Sequence, residues 1–206
     1  MLSIWLAIAC NTPEPVEVPP VPKSAVELES NDVGTSAIEK KKDTSTKAPS
    51  PVVTGSKPFI SEVMLNPSKV AKFRGDWIEL YNPTDTVIDL SSYSIHSKDD
   101  TGVRFTSKHK IDPHSTFLMA VRKSSTGNGG LPPVDYVYKH DVLKILATDW
   151  VELRNGEDVV DRWELTRKDS KKGYSLQRNP DGTTCRATET YGNGDFGTPK
   201  TITLCN

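Results

Sequence analysis

From Phe59 to the end of the chain, no stretch of ten or more residues carries apolar side chains at a helical period. The chain carries instead runs of four to seven residues rich in Val, Ile, Thr, Tyr, Phe and Trp, separated by turn-forming residues. Such spacing rules out a helical bundle and leaves no crossover helices for a doubly wound α/β fold. It predicts an all-β, antiparallel β-sandwich. The predicted strands are Ile60–Leu65, Trp77–Tyr81, Val87–Leu90, Tyr93–His96, Thr116–Arg122, Val134–Tyr138, Val151–Arg154 and Val159–Leu165, with Tyr174–Gln177 a shorter candidate. His140–Ala147 reads as a single helical turn or a strand.

Within Trp77-Ile78-Glu79-Leu80-Tyr81 the faces alternate, so Ile78 and Leu80 point one way and Trp77, Glu79 and Tyr81 the other. A carboxylate among apolar neighbours needs a hydrogen-bond partner, and Asn82 or a nearby Arg or Lys is the expected type. Asn155-Gly156 is a strong hairpin signal and should join the strands on either side of it. The Gly- and Pro-rich segment 123–133 reads as a surface loop.

Four pieces in order carry a family resemblance. They are Ile60-Ser61-Glu62-Val63-Met64; Asp76-Trp77-Ile78-Glu79-Leu80-Tyr81-Asn82-Pro83 followed by Val87-Ile88-Asp89-Leu90-Ser91-Ser92-Tyr93; Ile111-Asp112-Pro113-His114; and Gly197-Thr198-Pro199. Together they resemble the signature of the lamin-tail domain over residues 57–200. Ser92, Tyr93, His114 and Lys200 stand where that signature has Gly, Trp, Gly and Gly. The resemblance implies an immunoglobulin-like β-sandwich, a family found in nuclear filament tails and in exported bacterial proteins, and no established catalytic residues.

Ahead of the predicted domain (57–206), residues 1–9 are almost wholly apolar and end in Leu6-Ala7-Ile8-Ala9-Cys10. That run is too short to span a bilayer and has the size of a signal-peptide core. Small residues before a Cys resemble a bacterial lipobox, so Cys10 is the expected lipidation site; an ordinary secretory signal with an incidental Cys is the competing reading. Residues 10–56 then form an expected disordered linker, with seven prolines and no aromatic residue in 11–56. The short basic run Lys40-Lys41-Lys42 lies within it. Lipid on Cys10 leaves Cys185 and Cys205 as a disulfide pair, which needs an oxidising compartment. Two free thiols in a reducing cytoplasm remain the alternative. The expected location is a bacterial cell envelope, lipid-anchored at the outer membrane or cell surface.

Residues 57–206 carry 21 Lys/Arg against 20 Asp/Glu, without the positive excess usual for a nucleic-acid binder. A local cluster exists at Arg162, Arg167, Lys168, Lys171, Lys172 and Arg178, diluted by Asp161, Glu164 and Asp169. It is the candidate site for a polyanion such as DNA or a cell-envelope polymer, with a solvated loop as the plainer reading. His96, His109, His114 and His140 show no metal-ligand spacing and read as solvent-exposed. Nucleophile-elbow and phosphate-loop motifs are missing from the sequence. The expectation is a non-enzymatic, membrane-tethered interaction module with no cofactor and no metal; its partner is the membrane, through Cys10, together with an unknown protein or envelope polymer.

Overall fold

A computed structural model describes residues 55–98 and 100–206. Cys10, the apolar start, Lys40-Lys41-Lys42 and nearly all of the predicted linker lie outside the described residues. In chain order the first elements are β1 (Phe59–Met64), α1 (Lys72–Gly75), β2 (Trp77–Tyr81), β3 (Ile88–Asp89), β4 (Tyr93–Ser97), β5 (Val103–Arg104), β6 (Lys110–Ile111) and β7 (Thr116–Ala120). After them come β8 (Tyr136–Val137), β9 (Trp150–Asn155), β10 (Asp158–Glu164), β11 (Leu176–Arg178), β12 (Thr184–Arg186), β13 (Thr190–Tyr191) and β14 (Asp195–Phe196).

Two sheets stack as the sequence predicts. One has six strands in the order β12-β11-β1-β2-β7-β8, the other four in the order β10-β9-β4-β5. The pairing is antiparallel apart from β7 with β8, which run parallel. Between the sheets Ile60, Val63, Ile78 and Leu80 meet Ile95, Val151, Leu153 and Trp163. Each fully buried aliphatic side chain there contributes about 2 kcal/mol.

The alternation of β1 is broken by a bulge. Ile60 pairs with Leu80 but Glu62 pairs with Glu79, so one extra residue enters β1 between them. The bulge puts both Ile60 and Val63 in the core and turns Glu62 to the opposite face. That opposite face is also covered. Met64, Trp77, Leu118, Ala120 and Leu131 form one apolar cluster on it, and Phe59, Tyr81 and Ile202 another.

The Asn-Gly signal does join two antiparallel neighbours: the β9–β10 hairpin closes on Asn155 paired with Asp158, with Gly156 and Glu157 in its loop. Gly156 has φ +60°, as the first loop position of a type II′ turn requires. His140–Ala147 is not a strand: a single turn opens it, where Leu143 N donates to Lys139 O (3.2 Å), and the rest is irregular chain. The 123–133 loop is partly inside: Asn128 is fully buried, donating to Arg122 O (2.9 Å) and accepting from Leu131 N (3.0 Å).

Candidate functional site

Glu62 and Glu79 lie side by side on the middle strands of the six-stranded sheet, and both are buried. Their lid is the segment Gly197-Thr198-Pro199-Lys200. Thr198 donates to Glu62 from its backbone N–H (2.9 Å to Oε1) and from its hydroxyl (2.9 Å to Oε2). Ser175 Oγ donates to Glu62 as well. Gln177 Nε2 donates to Thr198 Oγ1 at 2.6 Å, which holds the lid residue in place. Glu79 accepts from the backbone N–H of Lys200. Ser61 Oγ also donates to Glu79 Oε1 (3.5 Å), so its partners are a main-chain amide and a hydroxyl, neither Asn82 nor a cationic side chain. The Lys200 ammonium goes to Asp135 (2.5 Å).

Burial raises both carboxyls. Glu62 is pushed up to about 7 despite its hydrogen bonds, and Glu79 is held well above the usual range by burial and by the neighbouring Glu62. These are strongly perturbed acids, but the donors that meet them are the protein's own. They lock a sheet to its covering strand segment.

Asn82 serves a different junction. Its Nδ2 donates to Thr86 O (2.8 Å), Ile111 O (3.0 Å) and Asp112 O (3.0 Å), while its Oδ1 accepts from Thr84 N (2.9 Å). The turn after β2 is thereby pinned to the chain around β6.

A third buried acid, Asp76, follows α1. Lys72 Nζ donates to it at 2.7 Å and also to Leu65 O (2.6 Å) and Ile145 O (3.1 Å). Burial pushes the Asp76 carboxyl up to about 7 against the pull of Lys72. His140 Nε2 stands 4.0 Å away, and burial together with Lys72 and Lys144 holds its imidazole below the ordinary value.

The histidines are half-buried, contrary to the expectation of solvated side chains. His109 packs edge-on to Tyr136 (5.0 Å between ring centres), Phe105 and Phe117. His114 bonds Asp85 (2.8 Å) and His96 bonds Ser94 (2.9 Å). Among the described residues, no group of three or more His, Cys, Asp or Glu is placed to hold a metal ion. Among the same residues, no helix is long and apolar enough to cross a membrane.

The structure divides the six basic residues singled out from the sequence. Arg178 is turned inward. It pairs with Asp161, donates to Ile60 O (3.0 Å) and Arg162 O (3.1 Å), and stacks on Trp163 (4.7 Å). Asp161 in turn accepts from Ile60 N (2.8 Å), so this pair ties the two sheets together. Arg162 is exposed but committed, bridging Glu152 and Glu164 (2.6 Å each) over the Trp150 ring. Arg167, Lys168, Lys171 and Lys172 are exposed on the loop between β10 and β11, with Lys171 over the Tyr174 ring (3.8 Å). Sequence spacing could not separate these roles, because the partners of Arg178 lie on other strands.

Cys185, on β12, and Cys205 are joined by a disulfide, with Cα atoms 5.5 Å apart. The chain's signature residues now have places: Glu79 under the lid, Asn82 at the turn, Gly197-Thr198-Pro199 over the carboxyls. Against known families, the model of the lamin tail domain matches residues 51–167, more than half of the chain. The chain belongs to the lamin tail domain family. No curated protein matches it. The lamin tail domain here extends past the matched segment, since β11 pairs with β1 and β12 with β11. Where the family signature has glycine, His114 (φ +50°) and Lys200 (φ +69°) adopt the left-handed backbone that glycine favours.

Proposed function

We propose that this lamin tail domain is a non-enzymatic interaction or structural module, held outside the cytoplasm of a bacterium by lipid on Cys10. The family is one of immunoglobulin-like, non-enzymatic domains. The observation that carries the reading is the sealing of Glu62 and Glu79. The domain's paired, proton-holding acids are spent on internal hydrogen bonds instead of facing a substrate. The apolar run before Cys10 supports the tether, and the Cys185–Cys205 pair suits an oxidising compartment. Cys10→Ser in the full chain, followed by cell fractionation, is the test. The variant is expected to leave the membrane fraction; unchanged membrane association would remove the lipid anchor from the reading.

A second reading, as a polyanion-binding accessory domain, draws on the exposed cations of the β10–β11 loop. It predicts salt-sensitive retention on heparin or DNA that is lost when Arg167, Lys168, Lys171 and Lys172 are replaced together. Lack of any retention at low salt would dismiss it.

A further inference from the structure

We infer that the face built from α1, the end of β7 and the 137–146 segment docks onto an anionic lipid bilayer. The inference rests on the reading of the domain as an interaction module, and names a partner for it.

Among the described residues five large apolar side chains stand about half exposed, and three of them gather here: Phe73 (49%), Val137 (45%) and Leu146 (50%). Phe73 and Val137 line one open groove together with Arg122, Lys139 and His140. Leu146 follows Ile145, whose carbonyl accepts from Lys72 of α1 at 3.1 Å, so its backbone lies next to α1. Arg74 lies over the Phe73 ring at 5.3 Å and shares an adjoining depression with Arg122. No carboxylate lines either depression. The nearby acids are Asp76, which is buried on Lys72, Asp141, which is exposed beside His140, and Asp100, which accepts from the Lys144 backbone N–H (2.5 Å). On the far side, Asn66 O accepts from Gly173 N (2.7 Å), which ties the chain leading into α1 to the exposed cations of the β10–β11 loop.

Charge complementarity asks for an anionic occupant, and apolar tips between the cations ask for hydrocarbon. A bilayer with anionic headgroups offers both at once. A single-stranded nucleic acid would need flat stacking faces, which Val137 and Leu146 do not have. An extended acidic peptide would need an open strand to pair with, and β8 supplies only two residues. Each cation at such a surface is worth about fivefold in affinity, so three of them supply about a hundredfold.

The test uses the full chain carrying Cys10→Ser, so that no acyl chain contributes. Co-sedimentation is measured with vesicles of equal parts phosphatidylglycerol and phosphatidylcholine, and with pure phosphatidylcholine. Adding Arg74→Gln, Arg122→Gln and Lys139→Gln together is expected to weaken binding to the anionic vesicles about a hundredfold. Phe73→Ser with Leu146→Ser should weaken it too, whereas Val87→Ser with Val159→Ser, exposed elsewhere, should not. Thermal unfolding of each variant checks that the fold is kept. Equal vesicle binding by the parent and the triple variant would overturn the docking surface. So would patch variants that lose binding to a short single-stranded DNA or to polyglutamate while keeping the vesicles. The anchor reading fails separately, if a chain carrying Cys10→Ser together with the three patch substitutions still sits at the cell membrane as the wild type does.

Discussion

Replacing Glu62 by Gln probes the lidded acids directly. In the fold this carboxyl sits at about 7, against an ordinary value of 4.5. That gap corresponds to about 3 kcal/mol. Because the folded value is the higher one, the stability it carries is complete below the unfolded value and is lost as pH rises through about 7. Asp76, also raised to about 7, adds a loss of the same sign over a similar window. Glutamine cannot ionise, yet it keeps the size of Glu62 and an acceptor for the Thr198 N–H. Urea unfolding of wild type and Glu62→Gln would be compared at about pH 4 and about pH 8. The wild type is expected to lose at least about 3 kcal/mol more than the variant across that interval, because the Asp76 contribution cancels in the difference while loss of the Glu62 charge also relaxes the upward push on Glu79. Parallel losses would refute the reasoning, since they would mean that Glu62 ionises in the fold as easily as in the unfolded chain.

Other outcomes follow from features already placed. Thr148 is β-branched and holds φ +75°, so Thr148→Gly should raise stability by about 1 kcal/mol in thermal unfolding, and His114→Gly by a similar or smaller amount. Arg178→Ala leaves Asp161 without its cation and removes the guanidinium donors from Ile60 O and Arg162 O, and should cost about 3 kcal/mol in urea unfolding. Lysine should not rescue it, because an ammonium cannot reach Ile60 O, Arg162 O and Asp161 together. Reducing the Cys185–Cys205 bond, which spans 20 residues of sequence, should lower stability by about 3 kcal/mol. Equal unfolding midpoints with and without reductant would contradict that.

The longer strands were legible because each carries its own signal. β2 and β9 appear within a residue of where alternation puts them. β5, β6, β12, β13 and β14 were not foreseen, because two or three residues cannot display a period. The burial of Glu79 was readable from its apolar neighbours, but its donor was not: Lys200 lies 121 residues along the chain. The bulge in β1 was likewise hidden, since Ile60-Ser61-Glu62-Val63 reads as simple alternation until its partner strand fixes the register. The lid was legible only as a motif, Gly197-Thr198-Pro199, with no hint that it closes over two acids. In the basic cluster the sequence shows six equal cations. The structure makes Arg178 a bridge between sheets because β11 sits beside β1, a pairing across more than a hundred residues.

That last pairing also sets an order in time. Among the described residues β1 is the first strand made, and β2 can join it after about a dozen more residues. Its other flank stays open until Leu176–Arg178 arrives, and the acids beneath the lid wait longer still, for Thr198 and Lys200. A strand with one unpaired edge is a template for the wrong neighbour. A chain emerging from a ribosome or an export channel therefore carries a half-finished sheet until β11 and β12 have followed.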